Sequence, residues 1–236
     1  MPRSQGHHLL APNVHLSVFE AEEPGPTALI QAGIHGDEVA GVHALQAMLE
    51  DGLRPERGRL LVVPVMNPPA YRARQRAAPG GLDLNRSFPG RHDAPEAETR
   101  LAAVFMDLVR EETPALVATL HESHKRYDPR VNPSFGQSIV YGVLPMPQLV
   151  GTVVRRLNEE LIDESERWAT QHFPVATSST EVIVDHFGCI GVCVETWMGF
   201  EEDRRIRMQR RVVELMLETM GVGFHYLGAM RAHAMT

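Results

Sequence analysis

The chain has 236 residues, is 43% hydrophobic and 22% charged, and carries a formal net charge of −7. Its length suits one large α/β domain or two small ones, and its composition is that of an ordinary globular protein with enough apolar residues for a sizeable core. The acidic balance argues against a nucleic-acid surface, which would show a basic patch or stripe. No stretch approaches the length of a membrane span, so no membrane partner is expected. The segment MPRSQGHHLLAPNVHLSV lacks the apolar run of a signal peptide, which makes the cytoplasm the expected location. His7 and His8 are expected to lie in a frayed terminus.

The first patterned stretch is Thr27 to Glu50, TALIQAGIHGDEVAGVHALQAMLE. Leu29, Ile30 and Ala32 suit a buried strand, and Val39, Val42, Leu45, Met48 and Leu49 recur at helical spacing. Asp37 is placed to cap that helix, with Glu38 in its first turn facing back toward His35. His35 and Glu38 therefore stand at the carboxyl end of a strand, where open α/β sheets usually bind ligands. Of the 12 histidines, His35 alone has a carboxylate three positions on.

Gly58 to Val65 reads as a second strand, ended by Asn67-Pro68-Pro69, and Ala70 to Gly90 as a long loop. Basic residues cluster in Arg72 to Arg76. Asp83-Leu84-Asn85-Arg86 gathers polar side chains around one leucine, and Arg86, helped by the Asn85 amide, offers a planar fork for a carboxylate. Ala94 to Glu112 forms an amphipathic helix with Leu101, Val104, Phe105, Leu108 and Val109 on its inner stripe. Ala115 to Leu120 is a buried strand that delivers His121-Glu122-Ser123-His124. A catalytic zinc commonly takes two His and one Glu, leaving its fourth position for water. His121 completes that set with His35 and Glu38, with His124 as its competitor.

Gln137 to Val143 reads as a strand and Pro147 to Ile162 as a helix, whereas Asp163 to Ser179 is irregular; His172 and, further on, His186 are expected to be satisfied or exposed, with lining a site as the alternative. Cys189 and Cys193 have neither redox-motif nor zinc-site spacing and are expected to be small core residues in a reducing compartment. Ile190 to Val194 is a core strand presenting Glu195-Thr196-Trp197, and a carboxylate directly after such an apolar run is costly unless satisfied or used. Glu195 is thus the candidate general base. A helix from Glu201 to Met220 follows, with Arg204, Arg205, Arg207, Arg210 and Arg211 on a mostly solvated face. With no internal repeat and no low-complexity linker, residues 1–236 are expected to form a single catalytic domain with a mixed, largely parallel sheet and helices on both faces.

Gly33-Ile34-His35-Gly36-Asp37-Glu38, the Arg76 to Pro89 stretch, and the strands ending in His121 and Glu195 together resemble zinc carboxypeptidases of the carboxypeptidase A type, over about residues 27 to 200. The resemblance implies that His35, Glu38 and His121 bind Zn²⁺ and that Asp83 accepts a hydrogen bond from His35. It also implies that Asn85 and Arg86 hold the substrate's free carboxylate, that Arg76, with Arg74 close enough to compete, polarises the scissile carbonyl, and that Glu195 shuttles the proton. The implied partner is a small peptide or N-acyl amino acid with a free carboxylate.

Digestive carboxypeptidases carry a tyrosine some twenty residues before the catalytic glutamate, and Gln171 to Glu181 contains none. Length and the spacing of Arg76, Gly81 and Asp83-Leu84-Asn85-Arg86 look more like bacterial murein tripeptide amidases. Succinylglutamate desuccinylases and aspartoacylases share the metal constellation and the Asp-Leu-Asn-Arg signature, and they hydrolyse N-acyl amino acids. They generally add a C-terminal β domain, whereas only a helix and a short tail follow Glu195, so the peptidase branch is the first expectation and the deacylase branch the alternative.

Overall fold

Alternation along the central strands decides the architecture of the computed structural model, which describes residues 2–228. Side chains of a strand alternate between the two faces of its sheet, and here both faces are apolar. Ala28, Ile30 and Ala32 enter one buried cluster together with Leu60, Val62, Leu116, Ala118 and Leu120. Leu29, Leu61, Val63 and Val117 enter the other. Strands covered on both faces in this way are typical of parallel sheets sandwiched between helices.

The elements in order are β1 (Gly6–Ala11), β2 (Val14–Glu20), β3 (Glu23–Ala32), α1 (Ala40–Glu50), β4 (Leu53–Arg54), β5 (Arg57–Val63), α2 (Pro68–Ala73) and α3 (Ala97–Glu112). There follow β6 (Leu116–Ser123), β7 (Ser138–Tyr141), α4 (Gln148–Glu159), β8 (Ala169–His172), α5 (Ser179–Phe187), β9 (Ile190–Trp197), α6 (Glu202–Thr219) and β10 (His225–Tyr226). The main sheet has eight strands in the order β1-β2-β5-β3-β6-β9-β7-β8, and β10 pairs with β4 separately. The central neighbours β5, β3, β6 and β9 run parallel, while β2 and β7 join antiparallel. Helices α1, α4 and α6 cover one face through Val42, Leu45, Val150, Val153, Val212 and Leu215. Helices α3 and α5 cover the other through Phe105, Leu108, Val182 and Ile183. The mixed, largely parallel sheet with helices on both faces is thus the expected one. Among the described residues, no helix is long and apolar enough to cross a membrane.

Several local expectations are corrected. His7 and His8 lie in β1, an edge strand paired antiparallel with β2. One face of β1 is open, with Leu9 62% exposed and Leu10 buried, so its alternation is too weak to stand out in the sequence. The long loop contains α2, where Pro68 and Pro69 occupy the opening positions and the Asn67 side chain accepts from the Ala70 N–H at 3.3 Å. The irregular region contains β8 and leads into α5. That helix carries β-branched Val182, Ile183 and Val184, which disfavour a helical reading, yet Ser178 caps its start and Gly188 ends it in the left-handed region at φ 65°. Arg205 does not join the solvated arginine face: its side chain is 12% exposed and bonds the wholly buried Glu122 carboxylate.

The loop that carries the first candidate residues is pinned by backbone contacts. Gly33 turns the chain at φ 66°, and the Gly36 N–H donates to the Gln75 carbonyl at 2.9 Å. A Cβ added at Gly36 would lie 1.9 Å from the Ala70 carbonyl oxygen and 2.4 Å from the Tyr71 nitrogen, both backbone atoms that cannot step aside. We expect Gly36→Ala to destabilise the fold by about 1–3 kcal/mol, the usual cost of overpacking, read as a lower urea midpoint at unchanged slope.

Candidate active site

Three adjacent parallel strands deliver the predicted residues to one place. The loop after β3 carries His35 and Glu38, β6 carries His121, and β9 carries Glu195, which is the direct register partner of His121. His35 and His121 are each 3% exposed and Glu38 is 7% exposed. The His35 Nδ1 stands 2.7 Å from Glu38 Oε1, and the His121 Nδ1 stands 2.7 Å from Glu38 Oε2. One ligand atom from each residue falls within a common span of 4.8 Å, close enough for a single ion.

Glu38 precedes α1 rather than lying in its first turn, and Asp37 does not cap it: the helix starts at Ala40 after Val39, whose side chain makes no capping bond. The Ala40 N–H is instead capped from β6, donating to Glu122 Oε2 at 2.9 Å. The Glu122 N–H in turn donates to Glu38 Oε2 at 3.0 Å. The helix start and the carboxylate are therefore fastened to the strand that bears His121. Behind them Gln209 of α6 donates to the His121 carbonyl at 2.8 Å and to Thr196 Oγ1 at 3.0 Å, which fixes β6 against β9.

Asp83 stands 3.2 Å from His35 Nε2, the place for a carboxylate that orients an imidazole ligand. Arg76 donates through Nε to Asp83 at 3.0 Å and lies 3.7 Å from Glu38, so it points into the site. Arg74 leaves it and stacks on the Tyr71 ring at 5.1 Å. Asn85 commits its Oδ1 to the Ser179 N–H at 3.0 Å, which frees its NH₂ to donate elsewhere. Arg76 and Asn85, with the exposed Arg86, line one cavity of about 630 Å³ together with His35, Glu38, His121, Glu195, Tyr141 and Glu181. His124 lines the cavity as well, but does not join the cluster of His35, Glu38 and His121. His172 and His186 stay outside, each bonded to a backbone carbonyl. Cys193 is not plain core: it lines the cavity, and its thiol donates to Glu195 Oε1 at 3.5 Å. Tyr141 lies on a short strand without a motif of its own, and the pattern around Glu181, Ser178-Ser179-Thr180-Glu181, signals a helix start rather than a site.

The electrostatics show a locus that favours positive charge. Burial alone would lower the His35 pKa, but the charge of Glu38 and the bonds to Asp83 and Glu38 lift it to about 9. For His121 burial outweighs the same carboxylate, and its pKa is lowered. Burial pushes the Glu38 pKa up, yet the two imidazoles more than reverse this and hold it ionised. Two imidazoles and one carboxylate facing a common point are a donor set that fits a divalent transition metal. Glu195 behaves oppositely: burial, then the charge of Glu38, raise its pKa to about 8. Its Oε2 is buried and has no hydrogen-bond partner among the described residues.

A carboxyl group with a raised pKa contributes stability that is complete below its unfolded value of 4.5 and is lost as pH passes about 8. In chelator-treated protein, wild type is therefore expected to lose stability relative to Glu195→Gln as pH rises across that window. Urea midpoints of the two proteins measured from pH 4.5 to 8.5 check this, and parallel curves would contradict it.

Residues 24–124 match the family model for the succinylglutamate desuccinylase/aspartoacylase catalytic domain. An N-alpha-acetyl-L-2,4-diaminobutyric acid deacetylase of Halomonas elongata is 46% identical over 94 residues, covering 36% of this chain and 27% of that protein. A succinylglutamate desuccinylase of Burkholderia thailandensis is 46% identical over 79 residues, covering 32% of this chain and 22% of that protein. The aligned part thus spans only about a quarter of these relatives. Among solved structures, tripeptide-bound cell shape determinant Csd4 of Helicobacter pylori superposes with a TM-score of 0.80 at 18% identity, covering 94% of this chain and 60% of that one. The chain therefore has the zinc carboxypeptidase-like fold and, over residues 24–124, matches the succinylglutamate desuccinylase/aspartoacylase catalytic domain.

Proposed function

We propose that this chain, as one catalytic domain, is a zinc-dependent hydrolase that cleaves an amide bond next to a free carboxylate, with N-acyl amino acids as its leading substrate class. The observation that carries this reading is the convergence of His35, Glu38 and His121 on one point beside Glu195, whose Oε2 is buried and unpartnered among the described residues. His35, Glu38 and His121 would hold the metal. When bound there, zinc supplies Lewis acidity and a water acidified toward a pKa of ~7.

The remaining work falls to side chains of the chain. Glu195 takes up a proton at its free oxygen and returns it to the leaving nitrogen, a role served by a carboxyl pKa near neutrality. Asn85 and Arg86 hold the substrate carboxylate, Asn85 through the amide NH₂ that its bond to Ser179 leaves free. Arg76, held by Asp83, faces the negative charge that develops on the scissile carbonyl oxygen. Asp83 fixes the His35 ring through Nε2, leaving Nδ1 for the metal. The free thiols of Cys189 and Cys193 support a reducing, cytoplasmic setting.

The deacylase reading rests on the family model that matches residues 24–124, the segment that holds His35, Glu38, Asp83, Asn85, Arg86 and His121, and on the similarity of about a third of the chain to each of two N-acyl amino acid hydrolases. That similarity moves the deacylase ahead of the peptidase as the substrate class to test first. The peptidase reading, for a C-terminal dipeptide or a diaminopimelate-containing murein peptide, is kept because the fold is shared with a tripeptide-bound protein and the cavity of about 630 Å³ has room for more than an acylated amino acid.

Metal-quantified protein should hydrolyse N-acyl amino acids such as N-acetylaspartate, succinylglutamate and acetylated basic amino acids, with activity lost on chelation and restored by zinc. Cleavage of peptides alone would select the second reading, and a zinc-loaded protein that cleaves neither would overturn the proposal. His35→Ala should bind well under one zinc per chain, and full occupancy would refute the ligand assignment. Glu195→Gln should keep its zinc while kcat falls about 10²- to 10⁴-fold, the range for losing a general acid–base.

A further inference from the structure

We infer that Glu181 is a specificity-determining residue that selects a positively charged side chain on the amino-acid unit whose carboxylate Asn85 and Arg86 hold. This rests on the amide-hydrolase reading above and adds to it the charge of the preferred substrate.

Ser178-Ser179-Thr180-Glu181 has the sequence of a capping box, in which the glutamate would bond back to the N-cap N–H. Only half of the box forms. The Ser178 hydroxyl accepts from the Glu181 N–H at 3.3 Å, but the Ser178 N–H is already taken by the Val175 carbonyl at 2.9 Å. The Glu181 carboxylate is thereby released from helix capping, and its residue lines the cavity. Gly142, just past β7, makes room for it: a Cβ there would lie 1.7 Å from Glu181 Oε2.

Among the described residues, the Glu181 carboxylate has neither a hydrogen bond nor an ion pair, although Lys125 lines the same cavity. Its charged neighbours are Asp185, one turn along α5, and His172. The surrounding wall is apolar and aromatic, with Tyr141, Val140 and the edge-to-face pair Phe135–Phe173 at 5.0 Å. The part-buried Glu181 carboxylate has no ion-pair partner among the described residues, and an ammonium group supplies one while its alkyl stem and cationic head suit aromatic faces. Position narrows the assignment further. Asn85 is bonded to the N–H of Ser179, two residues before Glu181 on the same first turn of α5. A substrate carboxylate at Asn85 and a cation at Glu181 are therefore neighbours, as the α-carboxylate and side chain of one amino acid are.

The test compares Nα-acetylornithine, Nα-acetylnorvaline and Nα-acetylglutamate, which present cationic, neutral and anionic side chains of similar length. Wild type should show the highest kcat/KM for the ornithine derivative. Glu181→Gln should lower that value about tenfold or more, the scale of one charge-assisted hydrogen bond, while the norvaline derivative changes less than about threefold. Glu181→Lys should shift preference toward the glutamate derivative. An ornithine-to-norvaline ratio that is the same in wild type and Glu181→Gln would overturn the inference. Calorimetric binding of the free amino acids ornithine and norvaline to zinc-loaded protein separates this failure from that of the hydrolase reading. Tighter ornithine binding that depends on Glu181 upholds the selectivity even in a protein that cleaves no amide. Equal binding in both proteins counts against it whatever the activity.

Discussion

The Glu38 carboxylate is the constraint on which the site depends. Buried beside two imidazoles, it faces His35 Nδ1 with one oxygen, and with the other faces His121 Nδ1 and accepts the Glu122 N–H. A buried carboxylate is tolerated only where hydrogen bonds and opposite charge offset its lost hydration. Here the partners that satisfy it are also the groups that would share a metal ion with it. Folding the loop after β3 onto β6 and assembling the candidate ligand set are thus one event.

A second layer of polar groups keeps that geometry in place. Glu122 sits between the ligand strand and two helices: it caps Ala40 of α1, bonds Arg205 of α6 and accepts from Thr196 of β9 at 3.3 Å. Its side chain is wholly buried, and breaking such a pair by deleting one partner typically costs about 3–5 kcal/mol because a charge is left uncompensated. The arrangement therefore fastens three elements around His121, where an apolar contact of similar size would leave their relative rotation less defined. Arg76 and Asp83 do the corresponding work on the open side, tying the loop that precedes Asn85 and Arg86 to the His35 ring.

Much of this was legible along the chain because each candidate ligand follows an apolar run. His35, His121 and Glu195 stand at the ends of segments whose composition marks buried strands, and a parallel sheet places the ends of such strands side by side. The spacing from His35 to Glu38 and the Asp83-Leu84-Asn85-Arg86 run were visible for the same reason, being local. Less legible were elements whose signal is spread or mixed. β1 and β8 are partly exposed edge strands, and α5 is a helix of β-branched residues defined by its caps. Asp37 has the place of a cap for α1 in the sequence, but the acceptor at the helix start, Glu122, is 82 residues away.

The sequence by itself determined the layering of helices over a mostly parallel sheet and the candidate ligands and general base, leaving His124 open against His121. Those follow from periodicity and from polar residues placed where an apolar run stops. Only the tertiary structure decided which arginine enters the site, sending Arg76 to Asp83 and Arg74 onto Tyr71. It also drew Arg205 out of the solvated face, set Cys193 against Glu195, and turned Glu181 from helix capping toward the cavity. The physical reason is that each of these outcomes is a competition among partners from distant segments, and a side chain's local sequence does not contain its competitors.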